Sequence, residues 1–92
     1  MEKKEKYKFL LFTSGMSVKS VRALENFKNI TDKHLRDRFE LEVIDISRHK
    51  EKAIEYQIFA LPTLIKISPA PVRTILGDLS DNDKILKILD LV

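Results

Sequence analysis

The chain of 92 residues contains no cysteine. That absence excludes disulfides, thiolate metal ligands and thiol redox catalysis together. Glycine occurs only twice and proline three times. No phosphate-cradling glycine loop is present. No stretch approaches the roughly 20 apolar residues that span a bilayer. The opening "MEKKEKYKF" is charged and lacks the apolar run of a signal peptide. The cytoplasm is therefore the expected compartment, with no membrane partner. Charge of one sign is also scarce: 17 Lys and Arg against 14 Asp and Glu leave a formal net charge of +3. The bases are interleaved with acids, as in "KEKYK" and "RHKEK", which predicts a solvated face rather than a nucleic-acid surface. What remains is 43% hydrophobic and 34% charged, the balance of a soluble globular chain, expected to form one domain over residues 1–92.

Hydrophobic periodicity orders the chain into elements. "YKFLLF", Tyr7 to Phe12, ends in a continuous apolar run and predicts a strand covered on both faces. A turn at Gly15 follows. Ser17 is the expected cap of a long amphipathic helix whose apolar positions are Val18, Val21, Leu24, Phe27 and Ile30, with Leu35 beyond. Lys33, His34 and Arg36 suit the end of its dipole. "FELEVIDI", Phe39 to Ile46, is a second strand, and one intervening helix predicts a right-handed parallel βαβ unit. A short helix is expected next, capped by Ser47, with Ala53, Ile54 and Ile58 inward. "TLIKI" and "VRTILG" are a third and fourth strand, joined through "SPAP" as an antiparallel hairpin. A final helix is expected from Ser80, with Asp83 at capping-box spacing and Ile85, Leu86, Ile88, Leu89 and Val92 on its apolar face.

The resulting order, β-α-β-α-β-β-α, resembles the thioredoxin-like α/β arrangement, a mixed four-stranded sheet with helices on both faces. In that arrangement a proline, typically after a cis bond, precedes the third strand; here it is Pro62, after Leu61. A cis X-Pro bond costs only about 0.5–1 kcal/mol over trans. The redox pair of such enzymes would fall in "TSGMS", which offers hydroxyls and a thioether but no thiol. Ser14 and Ser17 have no evident base and are read as turn and cap residues. His34 and His49 lie in charged helical contexts, and Asp78, Asp81 and Asp83 flank a helix start. No catalytic residue, metal site or cofactor is predicted, and a binding module is the better class.

The stretches "SVRALENFKNI", "LEVIDI", "ALPTLIKISPAPVRTILGDLSD" and "KILKILDLV" resemble the KaiB family of circadian clock proteins, from about Phe9 to Val92. The resemblance implies a non-catalytic protein that binds the N-terminal ATPase ring of the hexameric kinase KaiC. It also implies that the complex captures KaiA, promotes KaiC dephosphorylation and excludes the histidine kinase SasA. It further implies two folds for one sequence: a thioredoxin-like monomer that binds KaiC, and a ground-state fold, often tetrameric, that differs after about Lys50. Such states need differ by only a few kcal/mol.

By that resemblance Arg22, Lys66 and Arg73 are the expected partner-binding residues, basic side chains for an acidic KaiC surface. Pro62, Gly77, Asp78 and Ile88 are the expected structural residues. Glu42 and Gln57 stand where clock-type relatives often carry lysine. A diverged paralogue that binds another KaiC-like ATPase in stress signalling, or a SasA-type sensor domain, is the competing expectation. Ile88 stands where relatives often have glycine. Its helical spacing with Ile85, Leu89 and Val92 predicts that the thioredoxin-like monomer dominates.

Overall fold

The computed structural model describes residues 6–91. Strand β1 (Tyr7–Thr13) leads into helix α1 (Val18–His34), strand β2 (Phe39–Asp45), helix α2 (Lys50–Glu55), strands β3 (Thr63–Ser68) and β4 (Arg73–Leu76), and helix α3 (Asn82–Ile88). The four strands form one sheet in the order β2-β1-β3-β4. β1 pairs with β2 in parallel, from Tyr7 opposite Phe39 to Thr13 opposite Asp45. β3 runs antiparallel to both β1 and β4. This is the mixed thioredoxin-like sheet that the element order predicts. The ground-state arrangement is not the one adopted here.

The central position of β1 follows from its run of bulky apolar residues. Phe9, Leu10, Leu11 and Phe12 are all buried, and the period of two sends them alternately to opposite faces. Phe9 and Leu11 join Ala23, Phe27 and Ile30 of α1, Leu64, Ile75, and Ile85 and Leu86 of α3 in the larger core. Leu10 and Phe12 join Ile44 and Ile65 in a smaller one, flanked by Tyr56, Ile58 and Leu61. Phe27 meets Phe9 edge-on at 4.9 Å and Phe39 at 5.6 Å between ring centroids, geometry that aromatic quadrupoles favour.

Ser17 caps α1 as expected, its hydroxyl accepting the Ser20 N–H at 3.2 Å. The buried face of α1 matches the expectation at Phe27 and Ile30 but not at its start. It consists of Ser20, Ala23, Phe27, Ile30 and Thr31, while Val18 is 70% exposed. A repeat of three in a helix of about 3.6 residues per turn slips by roughly 60° at each step, so Val18 and Ile30 cannot share a face.

Two other expected caps are displaced. Ser47 does not cap α2: the helix starts at Lys50 after His49, which makes no side-chain cap bond. Ser80 does not cap α3, because Asp81 does, accepting the Lys84 N–H at 3.2 Å. In both places an aspartate two residues earlier takes the serine N–H: Asp45 from Ser47 at 3.0 Å and Asp78 from Ser80 at 3.2 Å. These are Asx turns, which compete with the helix for the same backbone. Of the inward set expected on α2, Ile58 packs half-buried against the smaller core and Ala53 is half-buried, but Ile54 is 79% exposed and the helix has no fully buried residue. The Leu61–Pro62 bond is cis as expected, and so are Ser68–Pro69 and Ala70–Pro71.

Candidate interaction surface

At the carboxyl end of β1, residues 14–17 occupy the place where a thioredoxin-like enzyme carries its thiols. Here the loop is tied down by its own hydroxyls. The Ser14 N–H donates to Ser20 Oγ at 3.2 Å, and the Ser17 hydroxyl donates to the same oxygen at 2.9 Å. Gly15 adopts φ +55°, a left-handed conformation that favours glycine. Its N–H donates to Asp45 Oδ1 at 3.0 Å. That carboxylate oxygen also accepts the Ser47 hydroxyl at 2.8 Å. The Asp45 carboxyl is held below the ordinary carboxylate range, first by the Ser47 hydroxyl, then by the Ser47 and Gly15 N–H groups and the Arg48 charge.

Asp45 thus clasps the β1–α1 loop to the end of β2, a role that the sequence reading missed. The available signal was an acid at a strand end, two residues before a serine. What the loop turns outward is Met16, 86% exposed, beside Val18. Met16, Leu24 and Val43 line a cleft of about 440 Å³ with Asp45, Arg48 and His49 on its rim. Apolar side chains ringed by charge suit recognition of another surface. His49 lies 3.5 Å from Glu51 and is exposed. His34 ends α1, before β2 begins, whereas His49 follows the end of β2. The two histidines are therefore not brought together.

The β4–α3 turn is the second built feature. Gly77 has φ +103°, and its N–H donates to the Pro62 carbonyl at 2.9 Å. Asn26 of α1 donates through Nδ2 to the Asp78 carbonyl at 2.8 Å. The Asp78 carboxyl lies below its ordinary value, chiefly through the Ser80 hydroxyl, then through the Ser80 N–H and the Arg22 charge. Pro62, Gly77 and Asp78 therefore form one connected corner. Ile88 is half-buried against the larger core and lines a cleft between β4 and α3.

The three expected basic contacts are not equivalent. Arg73 is exposed on the edge strand, and Arg22 is exposed on α1 beside the Asp78 corner. Lys66 pairs with Arg73 across β3 and β4, but it is only 2% exposed and its ammonium stands 5.7 Å from the centre of the Tyr7 ring. In this fold Lys66 is therefore not a surface contact. Arg73 and Lys66 share one end of β4, and Arg22 lies by the other. Glu42 is exposed on the edge strand β2, and Gln57, at φ +56°, follows α2 and lines a cleft with Thr74 and Leu76 of the other edge strand, β4. Among the described residues no group of three or more His, Asp or Glu side chains converges on a possible metal position.

Comparison with known proteins bears on this surface. A family model described as the KaiB domain matches residues 10–91. The circadian clock oscillator protein KaiB of Microcystis aeruginosa is 44% identical over 89 residues, covering 97% of this chain and 86% of that protein. Among solved structures, the N-terminal domain of Synechococcus elongatus SasA superposes with a TM-score of 0.76 at 21% identity, covering 98% of this chain and 89% of that one. Fasciola hepatica thioredoxin superposes with a TM-score of 0.72 at 14% identity, covering 97% and 84%. At these identities the structural likeness establishes the fold alone.

Proposed function

The chain belongs to the KaiB family, and on that premise we propose that it is a non-catalytic cytoplasmic clock module that docks on the N-terminal ATPase ring of KaiC. In this reading the docked form holds KaiA, promotes KaiC dephosphorylation and keeps SasA off the same ring. The observation that carries the proposal is the pairing of a KaiB sequence with the fold of the SasA N-terminal domain. In this reading the two proteins compete for one ring, and a shared fold gives each the same backbone frame on which to carry its contacts. Arg73 and Arg22, both exposed, are the basic side chains available to an acidic partner, while Lys66 contributes only where its cover moves. Exposed Glu42 on the β2 edge favours a second reading, a diverged paralogue bound to another KaiC-like ATPase in stress signalling. A reversed charge at a contact costs affinity and slows association.

Size exclusion of the full chain with KaiC rings, at low and high salt, tests the first reading. Co-migration at low salt that weakens about tenfold or more in Arg73→Glu is the expected outcome. Absence of a complex at either salt, with Glu42→Lys also failing to restore one, would end the KaiC assignment and leave the second reading.

A further inference from the structure

The sheet ends in two open edges, β2 and β4. They are not alike. β2 carries Glu40 and Glu42, both exposed, charges that deter pairing. β4 carries one exposed charge, Arg73, but none at Thr74 or Leu76. Its hydrogen-bond phase follows from one contact. The Gly77 N–H donates to the Pro62 carbonyl, which brackets the Thr63–Leu76 pair as a non-hydrogen-bonded one. Alternation then makes Ile65–Thr74 non-hydrogen-bonded as well. The N–H and C=O groups of Thr74 and Leu76 therefore point away from β3, in phase to receive a further strand.

The space beside that edge has the right form. Side chains of an added strand alternate between faces. On one face lies a cleft of about 320 Å³, lined by Tyr56, Ile58, Phe59, Thr74 and Leu76. Phe59 is 88% and Leu76 54% exposed there. On the other face lies a cleft of about 370 Å³, with Ile85 and Ile88 below and Asp78, Asp81 and Lys84 at its rim. The two aspartates accept backbone N–H groups of their own turn. Neither Lys84 nor Arg73 makes an ion pair among the described residues.

We infer that β4 is a strand-addition site for an extended segment of a partner protein in which acidic and apolar residues alternate. The apolar side chains sit against Phe59 and Leu76, and a carboxylate on the opposite face meets Lys84. Main-chain bonds to Thr74 and Leu76 supply the affinity and the two clefts the selectivity. The four-residue length of β4 restricts the paired core to a short segment. This goes beyond the clock reading and does not depend on it, since no ATPase enters the test.

The probe is an acetylated, amidated hexapeptide that alternates glutamate with valine and isoleucine, titrated into the isotope-labelled full chain. The expected result is shift perturbation centred on β4, with new exchange protection at the Thr74 and Leu76 amides. Lys84→Glu should weaken binding tenfold or more and reduce its salt dependence. Thr74→Pro removes an outward N–H while sparing the bonds to β3. It should abolish protection at Leu76 with the remaining spectrum retained. If that variant does not fold, a peptide N-methylated on its central residue makes the same deletion from the other side. Binding that ignores both changes, perturbation centred on β2, equal binding of the lysine-for-glutamate peptide, or peptide-independent protection that grows with protein concentration, the mark of a second copy, would each overturn the inference.

Discussion

The two faces of the sheet are covered very differently. One carries α1, 17 residues long, and α3, with Phe27, Ile30, Ile85 and Leu86 closing over Phe9, Leu11 and Leu64. The other carries α2, six residues long and without a buried residue, so that Tyr56, Ile58 and Leu61 beyond it do the covering. Close packing of large side chains makes the first face the source of stability. The second face is held by half-buried side chains in a connecting segment, and such segments open at low cost. The outward-turned Ile54 and Phe59 lie on this same stretch. The molecule thus combines a densely packed face with a lightly covered one, beside which Ile54 and Phe59 stand exposed.

The sharpest way to break this comparison is to truncate one residue on each side and one outside both. Phe27→Ala removes a side chain that is 3% exposed and touches two other rings. It should cost about 3–5 kcal/mol, a large share of the roughly 5–15 kcal/mol that holds a domain folded. Tyr56→Ala loses the tilted contact with Phe12 at 5.4 Å. Being half-buried, it should cost roughly 1–2 kcal/mol, and Ile54→Ala less than about 0.5 kcal/mol. Urea unfolding of the three variants gives the order. Equal losses for Phe27→Ala and Tyr56→Ala would mean that the two faces are equally load-sharing and that the contrast is false.

The strands, their order and the thioredoxin-like arrangement were legible because buried strands read as unbroken apolar runs and the prolines mark their boundaries. On the buried face of α1 only Phe27 and Ile30 were. Ser20 and Ala23 carry it close to the sheet, and small or polar residues give no hydrophobic signal. The two displaced caps share another cause. Asp45 and Asp78 each stand two residues ahead of a serine, and the side-chain turn they form delays the helix. The burial of Lys66 was equally hidden, since charge in a strand reads as exposure until its neighbours are placed. In the candidate surface Arg22, Arg73 and the Pro62–Gly77–Asp78 corner were named from sequence. Met16, Phe59 and the free phase of β4 needed the fold.

Lys66 offers a smaller test, because it puts a charge on the well-packed face. Its ammonium has no hydrogen bond or ion pair among the described residues, only the Tyr7 ring. A cation–π contact contributes about 0.5–1 kcal/mol where solvent is near. Even partial desolvation of an unpaired ammonium costs more than that. Lys66→Met keeps the aliphatic stem and removes the charge. It should leave stability unchanged or raise it by about 1 kcal/mol, read as a higher urea midpoint at constant slope. A lower midpoint would show that the charge stabilises this face, and the scaffold would then be electrostatic in part.

The smallest expected effect is on the pH response of the loops that join the faces. The Asp45 and Asp78 carboxyls are both depressed in the folded chain, in each case first through a serine hydroxyl two residues on. A depressed folded value means that the folded state binds the proton later than the unfolded state does. The contribution is therefore fully present above the ordinary carboxylate range. It is lost as pH falls through that range toward the folded values. Melting temperatures followed from neutral pH to strongly acidic pH should fall in that window, and the fall should be shallower in Asp45→Asn. The asparagine retains an acceptor for the Gly15 N–H but no longer titrates. Both aspartates are half-exposed, so added salt should change the slope little where hydrogen bonds to serine dominate and flatten it where the Arg48 and Arg22 charges do. The order of causes at both sites favours the hydrogen bonds. A slope that vanishes in high salt would transfer the clasp from the serines to the arginines.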